Sequence, residues 1–160
     1  MASKQRYKVH HSTVLDAGPD AVWAELRDVL KMVKIIFSGG LGSAEWVEGG
    51  SLDRVPSRYN FTVGPDRDLF QQQVAGRDEV QRSVTYRSVA PVLCVVDYVA
   101  TYHVREVTND PHRSFLEWTR DVQVADDTQP EVVEAVLGMM AAQIDAVRDF
   151  FAPPDPSSQP

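Results

Sequence analysis

The sequence predicts an α+β domain in which a seven-stranded antiparallel sheet packs on one long C-terminal helix, with two short helices after the first strand. Three observations carry that expectation. From Gly40 to about Val124 apolar residues recur with a period near two, the period of a strand with one buried face. The breaks between these stretches are rich in glycine, proline, asparagine and aspartate, as tight turns require. The last long segment then changes to a spacing of three and four.

Taken in order, Arg6 to Ala17 alternates β-branched and aromatic residues with polar ones and reads as a first strand. Gly18-Pro19-Asp20 ends it and starts a helix, because proline suits the first turn and aspartate can accept its unpaired N–H groups. Val22, Trp23, Leu26, Val29, Leu30, Val33, Ile36 and Phe37 then follow helical spacing, up to the stop at Ser38-Gly39-Gly40. Strands are predicted at Ala44 to Glu48, Arg58 to Val63, Leu69 to Ala75, Val80 to Ser88, Leu93 to Val107 and Ser114 to Val124. Short turn-rich separators make the sheet an antiparallel meander. Pro130-Glu131 opens the final helix, Glu131 to Phe151, with Val133, Val136, Leu137, Met140, Ile144, Val147 and Phe151 on one face.

Composition narrows the partners. At 160 residues, 43% of them apolar, the chain suits a single domain, assigned to 1–152, followed by a Pro/Ser-rich tail over 153–160 that is expected to be disordered. The 23 acidic against 16 basic residues give a net charge of −7, which repels phosphate backbones and anionic lipid, so nucleic acid is excluded as a partner. One cysteine, Cys94, rules out an internal disulfide and suits a reducing compartment. No secretory signal is visible behind the polar start, and no apolar run reaches the ~18 residues of a membrane span, so a cytoplasmic location without stable membrane insertion is expected. No metal site, phosphate loop, serine elbow or cofactor motif is recognisable. All four histidines read as surface or structural residues.

Several stretches carry a family resemblance: Asp16-Ala-Gly-Pro-Asp-Ala-Val-Trp23, Trp46-Val-Glu-Gly-Gly50, Val96-Asp-Tyr-Val-Ala-Thr101 and Phe115-Leu-Glu-Trp118. With the amphipathic last helix they span roughly Tyr7 to Phe151. The chain in this respect resembles the SRPBCC superfamily, whose helix-grip fold is shared by StAR-related lipid-transfer domains, plant pollen-allergen proteins and bacterial polyketide cyclase/dehydrase-like proteins. The resemblance implies a curved sheet wrapped around the long helix, with a cavity for an apolar ligand between them. Some members cyclise or dehydrate that ligand, which would place the chain in biosynthesis; others only bind or carry it, and both alternatives stand. The implied partner is a polyketide-like or lipid-like small molecule, bound by a monomer or homodimer with no cofactor. A module that assembles on other proteins would need an exposed apolar patch, and none is evident.

Strand alternation nominates the residues of such a site. In the sixth strand Cys94, Val96, Tyr98, Ala100, Tyr102 and Val104 form the more apolar phase and should face the helix. Tyr98 and Tyr102 are candidate catalytic phenols, or else core fillers. In the seventh strand Leu116, Trp118, Arg120 and Val122 look inward. Arg120 is the anomaly, because a guanidinium on an apolar face needs an anion or a dense set of acceptors. It either polarises a ligand carbonyl or enolate, as a catalytic group would, or snorkels to water in a salt bridge. Tyr59, Phe61, Phe70, Gln72, Arg82, Val84 and Tyr86 continue the inward pattern on the third to fifth strands. A slip of one residue in any of these short strands would turn its side chains to the other face. From the last helix, Leu137, Met140 and Ile144 should face the ligand, Met139 and Met140 could adapt to varied ligands, and Gly138 suggests that something approaches closely there.

Overall fold

In the computed structural model, which describes residues 5–153, β1 (Gln5–Leu15) leads through α1 (Pro19–Leu26) and α2 (Val29–Ile36) to six further strands. These are β2 (Leu41–Val47), β3 (Ser57–Val63), β4 (Asp68–Asp78), β5 (Ser83–Ser88), β6 (Val95–Val107) and β7 (Asp110–Val124), followed by α3 (Pro130–Phe150). The expected α+β order is thus observed, with strand ends displaced by a few residues. Apart from Pro153, the tail expected to be disordered lies outside the described residues.

Local chemistry sets the helix ends. Pro19 and Pro130 occupy the first turns of α1 and α3, where no backbone N–H bond is lost. Asp28 caps α2 by accepting from the Leu30 N–H at 3.0 Å. The strands pair antiparallel in the order β1-β7-β6-β5-β4-β3-β2, a curved meander closed by the return of β1 to β7. That last pairing matches Gln5 to Val124 and Leu15 to Ser114.

Inward residues of the sheet meet the helices in one core. Leu15, Val22, Leu26, Val84, Tyr102, Leu116, Trp118, Val122 and Val147 are completely buried. The helix α3 packs on β1 and α2, so that α2 and α3 together roof the concave face. No helix is long and apolar enough to cross a membrane, among the described residues.

Two expectations need correction. Residues 80–82 were expected in the fifth strand, but β5 begins at Ser83; Val80 is 83% exposed and Arg82 sits in the turn with φ of 56°. Val96 was expected inward, yet it is exposed, because a bulge inserts it between Val95, opposite Val124, and Asp97, opposite Gln123. The extra residue shifts the phase, so Val95 and not Val96 reaches the concave side.

The turn between β2 and β3 holds the chain closely at Gly50. A Cβ there would stand 2.8 Å from the Arg58 carbonyl oxygen and 3.0 Å from that of Val47, both rigid backbone atoms. Gly50→Ala should therefore destabilise the protein by about 1–3 kcal/mol, the usual range for overpacking. Urea denaturation measures this, and an unchanged midpoint would refute it.

Candidate functional site

Between the concave face and the roof lies a cavity that reaches solvent. Counted out to the open solvent at its mouth, the recess spans about 780 Å³. α2 contributes Val29, Met32, Val33 and Ile36, and Phe37 follows directly; α3 contributes Val136, Met139, Met140 and Gln143. The sheet contributes Tyr59, Phe61, Phe70, Gln72, Tyr86, Ser88, Val95 and Tyr98, and the β5–β6 loop adds Val92 and Leu93. At the mouth Leu93 is 67% exposed and Met139 40%.

One end of this wall is aromatic. Phe61 and Phe70 stack at 4.8 Å and 9°, Tyr59 stacks on Phe61 at 6.2 Å and 13°, and Phe37 closes against both phenylalanines. Such parallel faces favour a flat apolar guest.

The other end is polar and centred on Arg120, which is 1% exposed. Its Nε donates to the Tyr98 hydroxyl at 2.9 Å, Nη2 to Gln143 Oε1 at 2.7 Å and Nη1 to the Met140 carbonyl at 3.2 Å. The guanidinium carbon also lies 3.8 Å from the Trp118 ring centroid, a cation–π contact. Burying a guanidinium costs several kcal/mol, and hydrogen bonds from charged groups return about 1.5–3 kcal/mol each. Three such bonds and an aromatic face make an inward Arg120 tolerable. The alternative of a head snorkelling to water is therefore overturned.

A count of protons shows what this network offers. Trp118 Nε1 donates to the Tyr86 oxygen at 3.1 Å, while the Tyr86 and Tyr98 oxygens lie 3.0 Å apart. Two hydroxyl hydrogens share that one bond, since both oxygens already accept from N–H donors. One phenolic proton is left over on a residue of the cavity wall. Gln143 adds to the surplus: arginine can only donate, so the amide oxygen faces Arg120 and the NH₂ is left free of it. Gln72 Oε1 likewise accepts from the Tyr59 hydroxyl at 2.6 Å. The Tyr86, Tyr98, Gln72 and Gln143 oxygens thus each accept a hydrogen bond, while both amide NH₂ groups and one phenolic proton have no partner among the described residues.

Burial pushes the phenols of Tyr59, Tyr98 and Tyr102 well above the ordinary tyrosine range. For Tyr98 the neighbouring Tyr86 adds to this and Arg120 opposes it. These hydroxyls stay protonated at neutral pH and act as hydrogen-bond donors rather than bases. No carboxylate, imidazole or amine lines the cavity among the described residues.

The structure separates the nominated residues into groups. Tyr59, Phe61, Phe70, Gln72, Tyr86, Tyr98 and Met140 line the cavity, and Arg120 stands directly behind Tyr98 and Gln143. Trp118, Leu116 and Ile144 are buried off the cavity wall, and Leu137 packs against the core, so none of these four lines the cavity. Tyr102 turns away from it, its hydroxyl donating to the Leu26 carbonyl at the end of α1. Arg82 was expected inward but bonds Asp20 at 2.9 Å across an outer cleft, with Glu106 at 3.9 Å, because the turn before β5 carries it off the strand. At Gly138 nothing lies within 4 Å of a Cβ position, so no close approach explains that glycine. Sequence reasoning missed the α2 wall and Gln143, although Gln143 stands three residues after Met140, on the same helical face.

His11 faces inward on β1 opposite Trp118, with Nδ1 buried and without a hydrogen-bond partner among the described residues. Burial, then the charges of Arg120 and His10, hold its imidazole below the ordinary range, against a weaker opposite pull from Asp145.

Three comparisons bear on this geometry. A family model described as "Polyketide cyclase / dehydrase and lipid transport" matches residues 6–151. No curated protein matches the sequence. Among solved structures, an uncharacterized protein from Bacillus thuringiensis is similar with a TM-score of 0.74 at 18% identity, over 91% of this chain and 98% of that one. Ginseng major latex-like protein 151 from Panax ginseng gives 0.68 at 16% identity, over 92% and 99%. Norcoclaurine synthase from Thalictrum flavum, in complex with dopamine and hydroxybenzaldehyde, gives 0.65 at 19% identity, over 92% and 87%. At such identities the likeness is one of fold.

Two substitutions check the assignment of roles. Tyr102→Phe should lower stability by about 1 kcal/mol, the value of one hydrogen bond, and leave the affinity for a neutral apolar fluorophore unchanged in a titration; a loss of affinity would return Tyr102 to the site. For His11, a folded pKa below the unfolded value of about 6.5 means that the unfolded chain takes up its proton first. Its contribution to stability is then complete above that value and declines as pH falls through it. The drop in Tm between about pH 7.5 and about pH 5.5 should be smaller in His11→Gln than in the parent; equal drops would contradict the burial argument.

Proposed function

Because the chain belongs to the polyketide cyclase/dehydrase and lipid transport family, we propose that it binds a flat, apolar, oxygen-bearing small molecule in the sheet–helix cavity and holds it without transforming it. The family and the fold support hydrophobic-ligand binding. The orientation follows from the wall: the apolar body lies against Phe61, Phe70 and Phe37, and an acceptor oxygen takes the surplus phenolic proton of the Tyr86–Tyr98 pair. That unspent proton, backed by Arg120, is the observation on which the reading rests.

Carrying or sheltering is favoured over ring closure by the make-up of the cavity. Aldol cyclisation and dehydration both need a group that removes a proton from carbon. The cavity wall carries phenols, amides and one serine hydroxyl, none of which is a base at neutral pH. A second reading is favoured by Arg120 and Tyr98 themselves, which would stabilise negative charge on a ligand oxygen if the substrate arrived already activated. The proposed location is the cytoplasm, and the proposed unit is a monomer or homodimer.

Native mass spectrometry of freshly purified protein should show an apolar molecule carried unchanged. In titrations an aryl ketone should bind about tenfold more tightly than its hydrocarbon analogue, the worth of one good hydrogen bond. The double variant Tyr86→Phe/Tyr98→Phe should abolish that preference. Equal affinities in the parent protein would sink the proposal, and conversion of a bound polyketone into a ring would favour the second reading.

A further inference from the structure

Arg120 carries a full positive charge, and none of its partners is an anion. A phenol oxygen, an amide oxygen, a backbone carbonyl and an indole face surround it. Arg77 makes the contrast: its side chain is only 9% exposed, yet Glu79 lies 2.9 Å away. Towards Arg120, β1 supplies His11, whose lowered pKa leaves it neutral near neutrality. β5 and β6 supply Tyr86 and Tyr98, and the cavity-facing residues of α2 are apolar. On α3, Asp145 acts on His11, but its side chain is 56% exposed and pairs with Arg148 at 3.3 Å. The polar end of the cavity therefore has one uncompensated positive charge behind a rim of free donors.

We infer that this site selects the deprotonated form of a weakly acidic oxygen ligand, a phenol or an enol conjugated to an apolar ring, over its neutral form. The inference rests on the binding function proposed above. The ligand oxyanion would accept the spare phenolic proton as a hydrogen bond, and Tyr98 would in turn accept from Arg120, so the guanidinium is felt one phenol away. The proton lost from the ligand goes to bulk water, and no covalent bond forms or breaks in the protein. An anion delocalised over a ring is the suitable class. It supplies the missing charge, while its spread density lowers the cost of leaving water, and its flat body matches the stacked Phe61 and Phe70. The negative surface, by contrast, repels anions in bulk, so the preference belongs to the interior alone.

The test uses the full chain with 4-nitrophenol, whose anion absorbs in the visible, and N-phenyl-1-naphthylamine as a neutral fluorescent probe of cavity occupancy. The nitrophenol should displace the naphthylamine, and its ionisation midpoint when bound should fall by about one pH unit, meaning that the phenolate binds about tenfold more tightly than the phenol. Arg120→Lys should keep most of the shift, while Arg120→Met and Tyr98→Phe should lose most of it. Tyr98→Phe serves if Arg120→Met fails to fold. Displacement with an unchanged or raised midpoint would overturn the inference and leave apolar binding intact, as would naphthylamine binding with no competition from nitrophenol. A full shift surviving in Tyr98→Phe would overturn the relay. Failure of the naphthylamine itself to bind the parent protein would instead remove the proposed binding function, and this inference with it.

Discussion

A guanidinium excluded from water, with only neutral acceptors around it, governs how this interior is put together. Arg120 leaves β7, lies over Trp118 of the same strand, bonds Tyr98 on β6 and reaches both a side chain and a carbonyl of α3. Those contacts join sheet to helix at the place where apolar packing stops and a hollow begins. An aliphatic side chain at that position could pack against α3, but it could not orient Gln143 or Tyr98. The polarity of the cavity is thus a by-product of how the buried charge is solvated.

The remaining wall follows from the same division of labour. β3 and β4 place Tyr59, Phe61 and Phe70 in register, with Phe61 directly opposite Phe70 and Tyr59 opposite Gln72, so that aromatic faces and one amide form a continuous surface. α2, capped by Asp28, lays Val29, Met32, Val33 and Ile36 over it. Phenylalanines have nothing to satisfy and can border empty space, whereas each phenol there has a partner. On the sheet side the recess is lined mostly by rigid rings held by strand register, which resist collapse into it.

Much of this was legible in the chain. Period-two alternation placed Tyr59, Phe61, Gln72, Tyr86, Tyr98 and Trp118 on the buried face, and Arg120 stood out as the one charge on an apolar phase of β7. The order of elements and the family resemblance both agree with the observed sheet and with the matched family model. What could not be read was three-dimensional in origin. The bulge at Val96 follows from pairing with β7 and leaves no mark in composition. Tyr98 and Tyr102 lie on the same phase of one strand, yet one borders the cavity and the other bonds α1, because α1 packs over the Tyr102 end of β6 while the Tyr98 end borders the recess. Arg82 could be assigned inward only by extending β5 through a turn that the chain makes in a left-handed backbone conformation. Gln143 was overlooked because its spacing from Met140 shows the face it shares but not its use, which appears only with the arginine that faces it.

The pairing of β1 with β7 has a consequence for biogenesis. Residues 5–15 are made before every other strand of this sheet, but among the described residues their only sheet partner spans 114–124, and the α3 side of the recess lies still later, at 136–143. β1 must wait, unpaired, until β7 has been made, and the compartment for a guest exists only after the α3 residues up to Gln143 have followed. Closing so long a loop is slow compared with forming local hairpins. The nascent protein is therefore a meander without a lid, and any guest encounters a finished vessel rather than assisting at its construction.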